Sequence, residues 1–349
     1  MTTALSPSAP RDRSRLVLVV GSGRSGTSSM SGTLKYLGLH VPQPEVQANK
    51  TNPRGFFEPE WVIDFTNDLL TACGINSSDA RPTAVALAAG VARLEQHREQ
   101  LRTWLGEALQ QADRLVVKDP RTSWFQDIWI DAAHHHDVVP SFVTMLRHPA
   151  EVSSSRQTHY KSKEAPQERR AGTTLRVAGW VNLNLATELA NRGERRVFVR
   201  YTDLLADWRA TMCQVHERLD LASPPELDWS APHEVDEFLD AGLRRHHIGW
   251  DDVDLPDGLR DLAEQVWRQL GVLVTSGGSD AAAEMALDEL RDDYAAMYAD
   301  AEAMARDAAQ AAAGRAGPRK GTRSAKRRRA AKAAAYAGAA TTGEAPGGG

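Results

Sequence analysis

The chain has 349 residues, 42% of them apolar and 25% charged, with a formal net charge of −4; this composition belongs to a globular protein long enough to bury a sizeable core. Two cysteines, Cys73 and Cys213, exclude a disulfide framework, and neither lies in a CxxC pair. The charge is uneven: residues 315–349 carry nine Lys or Arg against Glu344, which leaves −12 for the rest and argues against a nucleic-acid-binding core.

In chain order, residues 1–14 are rich in Ser, Pro and Arg and read as a disordered leader. The apolar run behind them, Leu16 to Val20, is too short for a signal segment or membrane span, so the protein reads as cytoplasmic. Leu16 to Val20 is instead a strand, followed by a glycine turn at Gly21 and an amphipathic helix to about Leu37. The loop from Pro42 to Pro59 is long for a compact domain, which marks it for function. Trp61 to Leu70 and Leu87 to Leu109 read as helices.

Leu115-Val116-Val117 and Ser141 to Leu146 have the short apolar pattern of buried parallel strands. They are closed by Lys118-Asp119-Pro120-Arg121 and Arg147-His148-Pro149. A helix from about Thr173 to Asn191 leads to a strand at Arg196 to Arg200, and Asp203 is placed to cap a helix through Leu219. From Ala281 to Ala313, Met285, Leu290, Tyr294, Met297, Ala301 and Met304 recur at helical spacing and predict a long amphipathic helix.

Strands alternating with helices predict an α/β fold with a P-loop-like central parallel sheet flanked by helices. The expected organisation is one domain over 15–278, a long C-terminal helix over 279–313 and a disordered basic tail over 314–349. Ligands of such sheets bind at the carboxyl ends of the strands. The glycine loop, Lys118, Arg147 and Tyr201 all fall there.

The loop Gly21-Ser22-Gly23-Arg24-Ser25-Gly26-Thr27-Ser28 sets backbone N–H groups and hydroxyls at a helix start, a ready anion site. It differs from an ATP-binding loop, because Thr27 stands where the phosphate-reaching Lys belongs and the nearby cation is Arg24. It differs from a dinucleotide-binding loop as well, since no acidic residue ends a second strand about twenty residues on.

Arg24-Ser25-Gly26-Thr27 after a strand resembles the 5′-phosphosulfate loop of the sulfotransferases that use 3′-phosphoadenosine 5′-phosphosulfate as donor. Arg24 falls where many members carry Lys. Arg147-His148-Pro149, with Ser155 eight residues after the arginine, is similar to that family's 3′-phosphate motif. A guanidinium clamp with a hydroxyl about two helical turns on suits a phosphate. Tyr201 in Tyr201-Thr202-Asp203-Leu204 resembles the tyrosine that lies against adenine, Lys118 a strand-end lysine near the transferred group, and Leu243-Arg244-Arg245-His246 a basic segment that closes over the donor.

The resemblance, strongest to bacterial and carbohydrate-modifying members, spans roughly residues 16 to 250. It implies transfer of a sulfuryl group to an acceptor hydroxyl by in-line displacement. The expected donor site comprises Gly23, Arg24, Ser25, Gly26, Thr27, Ser28, Arg147, Ser155, Tyr201, Arg244 and Arg245. Arg24 is expected to neutralise the leaving oxygen, and Lys118 to assist. A sulfuryl group carries less charge than a terminal phosphoryl, so fixed cations suffice and no metal is expected.

The best-known animal enzymes place a histidine two residues after the lysine, whereas position 120 here is proline. Glu58 is therefore the chosen base, with Phe56, Phe57 and Trp61 expected to desolvate it and raise its pKa. Glu45 and His148 are the other candidates. The acceptor is a small molecule or glycan of unspecified identity, and the long helix offers a surface for a homo-oligomer. Two competing readings are a P-loop small-molecule kinase and a protein that contacts nucleic acid or another anionic surface through its basic tail. Deleting residues 315–349 separates the last from the first.

Overall fold

The computed structural model describes residues 15–50, 52–159, 165–221, 228–240 and 248–315. The leader over 1–14, nearly all of the basic tail, and both Arg244 and Arg245 lie outside the described residues. Residues up to Ala295 form one compact unit, and a second begins at Ala296.

The first unit is built on four strands: β1 (Arg15–Val20), β2 (Arg114–Lys118), β3 (Val139–Leu146) and β4 (Arg195–Arg200). They form one parallel sheet in the order β2-β1-β3-β4, with Leu16 in register with Leu115 and Pro140. The expected α/β class with a central parallel sheet is therefore what the chain adopts. Burial on both faces explains the continuous apolar strands. Leu16, Leu18 and Val20 face a layer with Leu101, Phe125 and Trp129, while Val17 and Val19 face Met30, Leu34, Met212 and Val215.

The first layer is supplied by α2 (Glu60–Cys73), α3 (Ala84–Ala92), α4 (Glu95–Gln111) and α5 (Gln126–His135). The second comes from α1 (Thr27–Tyr36), α8 (Tyr201–Ala206), α9 (Trp208–Leu219) and α10 (Glu234–Phe238). The free edge of β2 is covered where His40 N–H donates to Arg114 O and Val116 N–H donates to His40 O, both at 2.8 Å. Pairing of that kind removes a sticky strand edge.

Three helix boundaries differ from expectation. The single helix read over Leu87–Leu109 is broken between α3 and α4, where Leu94 is extended. A break lets Ala88 and Ala92 on one piece, and Leu101 and Leu105 on the other, all reach the same core layer. The helix read from Thr173 begins at Pro166, as α7 (Pro166–Ala190), because proline at the first helical position is preset for it. Asp203 lies in the first turn of α8, and the cap of α9 is Asp207, whose side chain accepts from Ala210 N–H at 2.9 Å.

Two helices complete the unit. The sequence reading omitted α11 (Asp257–Thr275), although Leu259, Leu262, Ala263, Val266, Leu270 and Leu273 are buried at helical spacing. In α12 (Ala281–Arg315), residues Ala283, Leu287, Leu290 and Tyr294 are buried, and the Tyr294 hydroxyl donates to Ala178 O at 3.1 Å. Met285, expected on this stripe, is exposed. Two positions beyond Ala283, it projects from the opposite face of the helix.

His216 on α9 is buried, and its pKa is held below the usual histidine value by that burial and by the nearby charge of Arg114. Folding thus favours the neutral ring. The stability this secures is complete above about pH 6.5, the unfolded value, and is lost as pH falls through that point toward the folded value. Urea midpoints from pH 7.5 to 5 are expected to decline in the wild type and to flatten in His216→Phe; an identical slope in both would remove His216 from the acid response.

Candidate active site

The loop between β1 and α1 is shaped by two glycines that tolerate no side chain. Gly21 has φ +119°, and a Cβ there would lie 2.5 Å from Met145 O on β3. Gly26 has φ +88°, and a Cβ there would overlap the Tyr201 ring at 2.1 Å. The loop is braced by Gly21 N–H donating to Ser123 Oγ at 3.0 Å, Ser25 N–H to Ser22 O at 3.1 Å, and a 2.7 Å hydrogen bond between the Ser22 and Ser25 hydroxyls. Thr27 opens α1, whose N-terminus has neither a side-chain cap nor an acidic residue in its first turn. Its N–H groups and dipole are thereby left to attract an anion.

Different strands bring cationic groups to the two ends of this loop. At the first end, Arg24 donates from Nε to Ser155 Oγ at 3.1 Å, Ser155 being on α6 (Pro149–His159). Its carbonyl accepts from Arg147 Nη1 at 3.2 Å. Arg147, at the end of β3, also donates from Nε to Glu151 Oε2 at 2.8 Å, with both side chains buried. Its Nη2 is buried without a hydrogen-bond partner. A guanidinium nitrogen in that state is a donor awaiting an acceptor.

At the second end, Lys118 leaves β2 and donates from Nζ to Ser28 Oγ at 3.0 Å, to Phe56 O at 3.3 Å and to Glu58 Oε1. Lys118 is 2% exposed and Glu58 7% exposed. Glu58 is delivered by a strained turn: Phe57 has φ +55°, and its carbonyl accepts from Ser31 Oγ at 3.2 Å. Arg24, with φ +77°, is likewise left-handed without being glycine. Strain of this kind concentrates at functional sites, where surrounding contacts hold it.

No family model matches the chain, and no curated protein matches it. Among solved structures, the sulfotransferase domain of a Synechococcus olefin synthase is 17% identical, with 82% of this chain and 97% of that chain covered at a TM-score of 0.38. The sulfotransferase domain of the curacin biosynthetic pathway is 16% identical, with 74% and 97% covered at 0.40. A Mycobacterium tuberculosis sulfotransferase is 15% identical, with 71% and 76% covered at 0.38. The chain is similar to sulfotransferase domains.

The remaining site candidates sort by position. Tyr201, first in α8, is buried against Gly26, and Arg147 lies over its ring at 5.3 Å. Glu58 is paired with Lys118 rather than enclosed by aromatic rings alone. Glu45 pairs with Lys35 in the last turn of α1 instead. His148 accepts from Ala150 N–H on Nδ1 at 3.3 Å and packs against Trp250 and Trp267. Burial lowers its pKa, against the raising influence of Glu264 and Glu151. A cavity of about 280 Å³ lies among Arg147, His148, Thr202, Gly249 and Trp267.

Sequence reasoning missed Glu151, Ser123, Ser31 and Trp267. The Arg147/Glu151 spacing of four residues on a helix start is a readable ion-pair signal; the others are joined to the site by long-range packing and leave no local trace. Among the described residues, no group of three or more His, Cys, Asp or Glu is placed to hold a metal ion, and no helix is long and apolar enough to cross a membrane.

Proposed function

We propose that the protein is a sulfotransferase that takes the sulfuryl group of 3′-phosphoadenosine 5′-phosphosulfate to the hydroxyl of a small-molecule or glycan acceptor. One observation carries this reading: a single loop has a phosphate-type clamp at each end, Arg24/Arg147/Ser155 on one side and Lys118/Ser28 with the N-terminus of α1 on the other. A nucleotide with anionic groups at both its 3′ and 5′ positions offers one to each clamp. The donor fits what is present, since Arg147 Nη2 lacks an acceptor and the first turn of α1 lacks a cap.

In the reaction the acceptor oxygen bonds to sulfur as the bond to the bridging oxygen breaks. The electron pair passes to that oxygen, which leaves on the 5′-phosphate. Lys118 and the α1 N–H groups hold the charge that develops there. Glu58 takes the acceptor proton, since it is the carboxylate that meets Lys118 at this end of the loop.

A small-molecule kinase would need the loop lysine that Thr27 replaces, and Lys118 reaches the loop from β2 instead. Adenosine 3′,5′-bisphosphate at a hundred times its Kd is expected to stabilise the fold by about 2.7 kcal/mol, seen as a higher thermal midpoint, with smaller shifts for ATP and AMP. EDTA is expected to leave both this shift and turnover unchanged. Equal or larger stabilisation by ATP with Mg²⁺ would transfer the site to the kinase reading.

A further inference from the structure

We propose that the exposed half of α12 pairs with the same helix of a second copy of this chain, as a parallel two-stranded coiled coil. The inference is independent of the donor reading above.

The covered half of the helix sets the pattern. Within the first unit the buried residues of α12 are Ala283, Leu287, Leu290 and Tyr294, spaced alternately by four and three positions. That is the a/d spacing of a heptad. The same line continues without interruption through Met297, Ala301, Met304 and Ala308. A straight helix drifts away from a strict seven-residue repeat, so an apolar line that holds it over more than three heptads is the mark of a helix wound against another helix.

The cover ends while the line goes on. From Ala299 to Ala312 every residue of α12 is exposed, Met304 at 69%. The other side of this half carries Glu302, Arg306 and Gln310, with Arg306 donating from Nη2 to Glu302 Oε1 at 2.7 Å. The helix thus has a polar side suited to water and an apolar line suited to a partner. Methionine alternates with alanine along that line. In a paired helix, layers of methionine would be separated by layers of alanine, which lets the two backbones approach closely.

Charge beside the line selects a second copy and its direction. Asp293, Asp300 and Asp307 recur every seven residues along one edge, and Ala305 and Ala312 occupy the other. In a parallel pair, Asp300 lies beside the partner's Ala305 and Asp307 beside the partner's Ala312, with no clash of charge. An antiparallel pair would set the two aspartate edges face to face, where they repel.

Sedimentation equilibrium of the full chain tests this, and a monomer–dimer equilibrium is expected at about 1 to 100 μM. Met304→Glu should weaken association by about 10- to 100-fold, the value of burying one methionine side chain. Because Met304 is exposed in the single chain, its thermal midpoint at low concentration should hold. Ala303→Glu, on the polar side, should leave association within about threefold of wild type. Ala301→Cys and Ala308→Cys, made separately in a Cys213→Ser background, should each oxidise to a disulfide with its own copy; an antiparallel pair brings at most one of these positions face to face. A chain that stays monomeric, or a Met304→Glu dimer as tight as wild type, would overturn the proposal. So would cross-linking at only one of the two positions. Stronger association after deletion of residues 316–349 would make the basic tail the cover of this line, and would overturn it as well.

Discussion

Replacing Lys118 by Met is expected to slow release of adenosine 3′,5′-bisphosphate from the donor by about 10²- to 10³-fold, the usual loss when one preorganised donor is removed from a developing oxyanion. The same change leaves Glu58, 7% exposed, beside an apolar side chain. Breaking a buried ion pair from one side costs about 3–5 kcal/mol, so a loss of activity in the single variant mixes chemistry with stability. The double variant Lys118→Met with Glu58→Gln separates them. Without an uncompensated carboxylate its urea midpoint should return toward wild type, while turnover stays low because both cation and base are gone. Glu58→Gln alone should keep nucleotide affinity and lose about 10²- to 10⁴-fold in rate. Turnover in the double variant close to wild type would dismiss both residues from the reaction.

The second large effect concerns stability. Glu188 on α7 is fully buried and accepts from Arg192 at 2.6 and 3.0 Å and from Arg196 on β4 at 3.1 Å. Arg196 continues to Glu284 and Arg192 to Asp288, so the first turns of α12 are tied to α7 and the sheet edge. Glu188→Ala leaves Arg196 on Glu284 and Gly278 O and Arg192 on Asp288 but removes the buried carboxylate the two arginines share, and is expected to cost about 1.5–3 kcal/mol, with Glu188→Gln losing less because its amide oxygen still accepts. Denaturant unfolding of the three chains measures this. A Glu188→Ala midpoint equal to wild type would show that the cluster adds no net stability. Asp288 is held down to about 2 by its hydrogen bond to Arg192, which outweighs the opposing effect of burial, with Arg291 adding to the lowering. Its contribution is therefore complete above about pH 4 and is lost as pH falls toward 2.

The two groups act in different pH windows: burial of the His216 ring acts between about pH 6.5 and its lower folded value, whereas Asp288 acts between about pH 4 and 2.

What the sequence determined by itself was local. The apolar runs at β1, β2, β3 and β4 declared buried parallel strands because both sheet faces are covered, and the polar residues closing each run marked the strand ends where the Gly21–Thr27 loop, Lys118 and Arg147 lie. Gly21 and Gly26 were legible as a loop at a helix start, since few other residues fit a tight strand-to-helix turn. Glu58 and Lys118 were each nameable, although their union is sixty residues apart in the chain.

Only the tertiary structure decided direction and partnership. Arg24 turns toward Ser155 across 131 positions, and Phe57 takes a left-handed backbone that no spacing rule forecasts. The split between α3 and α4 and the burial of α11 follow from which faces the sheet leaves to cover. Local propensity sets which elements form, but long-range packing and charge pairing set where each side chain points, because those energies depend on neighbours that a linear pattern does not contain.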